Sequence, residues 1–194
     1  MTTSATGGYL IPEASPASID DAALEDLLQA AVAGITGIAG ANVRPRYQAS
    51  SPKMPAQGVD WVALEITVQK QDDNPHVQHM AGGLGSDRLT RHEDLEVFAS
   101  FYGNNAARNA GRLRDGFFIN QNSELLNASN IAFVDAGDIQ LASELVNQIW
   151  VRRNDLQLKF RRKIVRDYAI LNIIAADVHL IDDTGHVDEL IVIE

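Results

Sequence analysis

The stretch from Val146 to Ile181, VNQIWVRRNDLQLKFRRKIVRDYAILNIIAADVHLI, constrains the fold of this chain more than any other. Apolar Leu156, Leu158 and Phe160 alternate with polar Gln157, Lys159 and Arg161, and a period of two marks a strand with one buried face. Two long strands are expected here, Asp155 to Val165 and about Ala169 to Ile181. The same stretch carries Arg152, Arg153, Lys159, Arg161, Arg162, Lys163 and Arg166, in a chain whose formal net charge is -10. Alternation puts Lys159, Arg161 and Lys163 on one face and Arg162 and Arg166 on the other. Such a stripe is either an ordinary solvated face or a surface that salt-bridges to an acidic neighbouring subunit, with direct DNA contact as a third option.

Two further segments alternate in the same way. In Trp61 to Gln71, Val62, Leu64, Ile66 and Val68 interleave with Ala63, Glu65, Thr67 and Gln69. Leu89 to Tyr102 reads as the antiparallel partner, with Leu95, Val97, Ala99 and Phe101 facing one way. The connection, Asp72 to Asp87, holds Pro75, Gly82, Gly83 and Gly85 and is expected to protrude as a mobile tip. Val43 to Tyr47 is a short strand that Pro45 confines to a sheet edge. Ile131 to Val134 is another, and residues 135–150 form a connector anchored by Ile139, Leu141, Leu145, Val146 and Ile149.

Helical spacing appears twice. Leu24, Leu27, Leu28, Ala31, Val32 and Ile35 make one apolar face behind an Asp20 N-cap, with Ile19 stapled onto Leu24 and Gly34 and Gly37 ending the helix. Asn104 or Asn105 caps a second helix running to about Phe118, whose inward positions are Ala106, Ala110, Leu113 and Phe117. Residues 120–130 are polar, with room for one more helical turn. Residues 1–17 form a flexible or partner-ordered arm. After a turn at Asp182-Asp183-Thr184-Gly185, Val187 to Glu194 forms a strand with no sequence neighbour left to pair with. The expected architecture is α+β: a mostly antiparallel sheet of four to six strands, two main helices packed on one side, and extended arms at both ends. The expected domain spans residues 18–181, between an arm at 1–17 and a strand-forming tail at 182–194.

Composition narrows the function. Hydrophobic residues make up 45%, ordinary for a packed core, and no apolar run reaches the roughly 20 residues that cross a bilayer. The first residues lack the basic and apolar regions of a secretory leader. A chain without cysteine has no disulfide, thiol nucleophile or zinc–thiolate site. A pI near 4.8 disfavours general nucleic-acid binding, while an acidic surface repels phosphates and lets a duplex slide past.

Candidate catalytic or metal-binding groups are weak. His76 and His79 are spaced to share a metal only on a helix, and Pro75 with the nearby glycines indicates a loop. Gly82-Gly83-Leu84-Gly85-Ser86 lacks the lysine of a phosphate-cradling loop. Asp177, Asp182, Asp183 and His186 do not have calcium-loop spacing and suit turn chemistry. No catalytic residue, cofactor or metal is expected. A small metal-dependent hydrolase using the region from His76 through His92 to Asp94 is the rival reading.

Two motifs carry a family resemblance. Leu95-Glu96-Val97-Phe98-Ala99-Ser100-Phe101-Tyr102-Gly103 runs straight into the capped helix at Asn104. Trp150-Val151-Arg152-Arg153-Asn154-Asp155-Leu156-Gln157-Leu158 has the form W-x-R-R-x-D-L-x-L. Over residues 18–181 the chain resembles the neck, or tail-terminator, proteins of tailed bacteriophages. The resemblance implies a non-catalytic subunit of a ring, usually of six copies, at the head–tail junction. That ring caps the tail tube, touches tube and possibly sheath protein, offers a platform to head-completion and connector proteins, and passes double-stranded DNA through its lumen. It implies a place in the virion neck, assembled in the host cytoplasm. A tail-tube, collar or connector protein is the neighbouring alternative. Subunit contacts are expected at the basic residues named above and at Leu190, Ile191, Val192 and Ile193, where an unpaired strand and an arm are suited to extending a neighbour's sheet.

Overall fold

The structure is a computed structural model; it describes residues 8–14, 19–48, 50, 53–56, 58–83, 85–146, 148–170, 176–181 and 187–193, the last two as backbone. The fold is α+β, with three helices: α1 (Asp21–Thr36), α2 (Ala106–Gly116) and α3 (Asn120–Ala128). Seven strands are linked by pairing: β1 (Val43–Pro45), β2 (Trp61–Gln71), β3 (His76–Met80), β4 (Ser86–Tyr102), β5 (Ile131–Ala136), β6 (Gln140–Leu141) and β9 (Arg153–Ala169). Their order is β1-β2-β4-β9-β5, with β3 on β4 and β6 on β9. Only β1–β2 is parallel among the pairs whose register is described. Two ribbons stand apart, β7 (Glu144–Val146) with β8 (Ile149–Val151), and β10 (Ala176–Ile181) with β11 (Val187–Ile193). The chain forms two compact units, Ser18–Pro75 with Arg91–Ile164, and Met1–Ala17 with His76–Thr90 and Val165–Glu194.

The larger unit is built on two inward rows of side chains. Leu95, Val97, Ala99 and Phe101 of β4, and Leu156, Leu158 and Phe160 of β9, are buried in one core with Val62 and Leu64 of β2. The helices meet the same core. Leu24, Leu28, Ala31 and Val32 come from α1, Ala106, Ala110 and Leu113 from α2, and Leu126 from α3. A period of two on the strands and 3.6 on the helices therefore turns both sets toward one apolar volume. Helix α1 ends where expected, at Gly37 in the left-handed region with φ 76°. Its start differs. Asp20 holds the cap position without a side-chain cap bond, and its carboxylate instead reaches Arg162 at 3.0 Å.

Three further expectations for this unit need correction. The β2 alternation breaks at a bulge: Ile66 faces Val97, but Val68 faces Glu96, with Thr67 left over. One extra residue flips the following side chain to the other face, so Val68 is exposed. Residues 120–130 hold a full third helix, not one turn. The connector from Asp135 to Trp150 contains strands β6, β7 and most of β8; of its expected anchors Ile139 packs on the core, and the Val146 side chain lies outside what is described. Leu141, Leu145 and Ile149 are exposed.

From His76 onward, in the smaller unit, the segment expected to be a mobile tip holds a strand and a turn. Strand β3 pairs antiparallel with β4 from His76↔Thr90 to Met80↔Ser86, around a turn with Gly83 at φ 64° and Gly85 at φ 85°. His76 and His79 therefore lie on a strand, where residues three apart face opposite ways, and His79 Nδ1 lies 3.0 Å from Asp87 Oδ1. Arg88 donates a fork of two bonds of 2.8 Å to the Asp167 carboxylate, whose pKa is held below the usual range by that contact. The Glu13 backbone N–H donates to the Asp167 carbonyl. Ala169, expected to begin the second long strand, still belongs to β9, and the part described as β10 lies beside β11: Ala176↔Ile193, Asp177↔Val192, Val178↔Ile191 and His179↔Leu190 are partners. The tail strand thus has a partner in its own chain, against the expectation that it had none. The turn at Asp182 to Gly185 and His186 lie outside the described residues.

Candidate functional site

The basic stripe does not act as one surface. Lys159, Arg161 and Lys163 do share the exposed outer face of β9, as alternation requires. Arg161 donates to Asp94 at 3.0 Å and to Asp72 at 3.4 Å, exposed pairs that contribute little to stability. Lys159 and Lys163 have no ion pair among the described residues. Arg162 is on the other face, in the inward row with Phe160 and Ile164, and is only 6% exposed. It meets Glu93, 3% exposed, which stands in the inward row of β4 beside Leu95. The guanidinium lies 2.7 Å from Glu93 Oε2 and donates a further bond of 2.7 Å to the Ile19 carbonyl. Arg162 is thus an internal tether and not part of a decorated surface. The signal was present in the sequence: Glu93 and Arg162 each keep step with an apolar row that cannot leave the core.

Arg153 is likewise committed within its chain. It forks onto Asp155 at 2.8 Å and reaches Glu144 of β7 at 3.3 Å. These bonds, Asp155 first, raise its pKa above the ordinary arginine value. The R-x-D element of the W-x-R-R-x-D-L-x-L motif is therefore a brace that ties β7 to the start of β9. Arg166 sits half-buried in the smaller unit. Leu190, Ile191, Val192 and Ile193 are in β11, where the backbone pairing with β10 is what the structure describes.

Arg152, beside the brace, is exposed and borders a groove of about 340 Å³. Its walls include Met54, Val59, Trp61, Ile149 and Trp150. Trp61, first residue of β2, stacks on its cross-strand partner Tyr102 with ring centroids 4.1 Å apart. Gly103 follows at φ 101°, where a Cβ would come within 2.6 Å of the Val59 carbonyl oxygen and of Asp60 Oδ1, so only glycine fits without a shift. That close approach lets Asp60 accept the Asn105 backbone N–H at 2.9 Å and its side-chain amide at 2.8 Å. Asp60, not Asn105, thus satisfies the start of α2. On the other wall, the β7–β8 ribbon pairs Leu145 with Trp150, both exposed, and Trp150 is 69% exposed.

Burial opposes the Asp60 charge, but hydrogen bonds from Asn105 and Asn109, with Arg108 nearby, outweigh it and hold the carboxyl below the usual carboxylate range. A lowered folded pKa gives stability that is complete above the unfolded value of about 3.9 and is lost as pH falls through the folded value. Asp60→Ala is therefore expected to lower stability by about 0.5 to 2 kcal/mol at pH 7, the range for a lost cap, and by much less near pH 2. Urea titrations of both proteins at the two pH values check this; a gap that does not close in acid would show that the charge is not what holds the turn.

Among the described residues, no group of three or more His, Asp and Glu side chains is gathered to hold a metal ion. No helix is long and apolar enough to cross a membrane. The features with most exposed chemistry are the apolar groove and the outer face of β9, both suited to contact with other macromolecules.

The sequence profile of phage neck terminator proteins matches residues 22–184, from the first turn of α1 to beyond β10. The chain belongs to the phage neck terminator family. A search of curated proteins returned no match. As a neck terminator the protein is a structural component of the virion, placed where other head and tail proteins meet it. The terminator match takes in Arg162 and Glu93 of the tether, the Arg153 brace and the Trp150 groove. It stops before β11.

Proposed function

We propose that this neck terminator assembles into a ring at the head–tail junction, caps the tail tube, and docks it to the head-completion and connector proteins while DNA passes through the lumen. The family match over residues 22–184 carries this reading. Three features of the chain support it. The net charge of -10 suits a conduit that must not hold a polyanion. An exposed tryptophan groove and the exposed cations Lys159 and Lys163 on the outer face of β9 offer contact surfaces. The core is closed by its own helices and sheet, so a ring contact would add to a folded subunit and not complete one. The ring size is proposed as six, and assembly in the host cytoplasm.

Negative-stain images of the purified protein, alone and mixed with tail tubes, test the proposal. Rings on a cyclic axis, and tubes of arrested length bearing a terminal cap, are expected. A protein that stays monomeric at all concentrations and leaves tube growth unchanged would overturn it.

A further inference from the structure

The groove beside Trp150 has the chemistry of a docking site whose occupant is apolar and acidic. Its floor is Met54, Val59, Trp61 and Ile149, and among the described residues no carboxylate lines it. Arg152 on its border has no ion-pair partner among the described residues, and nor does Arg44 in the adjoining hollow, where it donates to the carbonyls of Ala41 and Lys53. Large exposed aromatics beside an arginine are the side chains that dominate interfaces, because they bury much area at small conformational cost. The ribbon that presents Trp150 has three residues in each strand, too short to be stable without a further element against it.

The chain itself contains a segment with the matching chemistry. Val187 to Glu194 reads VDELIVIE: four consecutive aliphatic residues, Leu190 to Ile193, between Asp188-Glu189 and Glu194. From Ile170 to Glu194 there is no lysine or arginine. Its strand β11 is paired on one edge only among the described residues, so its second edge has backbone donors and acceptors to offer. This segment also lies outside the residues that match the family, 22–184.

We infer that β11 of one copy docks on the Trp150 groove of the next, with one face of its aliphatic run against the apolar lining and its acidic flanks toward Arg152 and Arg44. The choice of a second copy rests on this charge complementarity: an acidic aliphatic strand and a cationic aromatic groove occur on one polypeptide. The contact joins two different surfaces, so it is head-to-tail and propagates around an axis until the rotation closes. The inference rests on the ring reading and names the contact that builds the ring.

The chain has no cysteine, so single-cysteine variants give an unambiguous test. Asn104→Cys, at the exposed mouth of the groove, and Ile191→Cys are purified separately, mixed under conditions in which wild-type rings form, and treated with a short bismaleimide. Cross-linked dimers holding one chain of each kind are expected, far above the yield from either variant alone. Trp150→Ala, and separately Asp188→Asn with Glu189→Gln, are expected to weaken assembly roughly thirtyfold in sedimentation, as for loss of a hot-spot side chain. Rings without the mixed cross-link, or rings that survive both variants unchanged, would overturn the inference while leaving the ring intact. A doubly substituted chain that links only to itself would make the occupant the chain's own tail and also overturn it. Absence of rings from the wild type would remove both proposals together.

Discussion

Arg162→Ala is expected to destabilise the protein by about 3 to 5 kcal/mol, the usual cost of removing one member of a buried ion pair. Glu93 is 3% exposed and lies in the inward row of β4, so its carboxylate cannot turn to water when its partner is lost. The Ile19 carbonyl would lose its donor as well, and the Asp20 carboxylate its 3.0 Å contact. The tether therefore joins β9, β4 and the segment leading into α1, and its loss is felt at three places. Urea unfolding followed by tryptophan fluorescence measures the change. Arg162→Met together with Glu93→Leu should recover most of it, because an apolar pair of similar volume leaves no stranded charge. Lys159→Ala and Lys163→Ala, on the opposite face of the same strand, should stay within about 0.5 kcal/mol. A small effect of Arg162→Ala would mean that Glu93 finds solvent or another donor.

Phe160→Ala should cost a similar amount, about 3 to 5 kcal/mol, by a different route. Phe160 is in contact with the Phe117 ring edge-on at 5.3 Å and with its cross-strand partner Phe133 at 5.8 Å. Phe117 stacks on Phe133 at 5.1 Å, so the group ties the end of α2 to β5 and β9. Truncation at its centre leaves a cavity that three rigid elements cannot close, and aromatic contacts are lost with the buried area. The melting temperature should fall by roughly 6 to 20 °C for a chain of this size. Phe118→Ala, whose ring also touches Phe133 but is 61% exposed, should cost far less. Similar shifts for the two variants would show that the core is more pliant at Phe160 than its packing implies.

The strands that were legible in the sequence were those whose burial obeys a local period. Leu95 to Phe101 and Leu156 to Phe160 alternate because each strand has one wet and one dry face, a condition written in consecutive residues. The α1 face and its glycine stop were legible for the same reason. Val68 was misread because a bulge is set by the partner strand and leaves no composition mark at Thr67. Strand β3 was missed since its five residues, HVQHM, are all exposed, and exposure on both faces erases the period. Hydrophobicity records only what a side chain prefers, so the connector's apolar residues read as anchors. Leu141, Leu145 and Ile149 show that preference unmet within this chain. The basic stripe was legible as a set of charges but not as a set of partners, since Glu93 and Asp94 reach it from β4 and Asp72 from just beyond β2.

The sequence alone determined the α+β class, the inward rows of the central strands, the first two helices, and the family to which the chain belongs. These follow from short-range periodicity and from two contiguous motifs, which need no knowledge of distant contacts. Tertiary structure alone decided that β11 lies beside β10, that Arg162 and Arg153 are tethers, that Asp60 starts α2, and that Trp150 stands open beside Arg152. Each of those depends on which remote residue arrives within about 3 Å or fails to cover a surface, and hydrogen bonds and burial of that kind are properties of the folded arrangement, not of neighbouring letters.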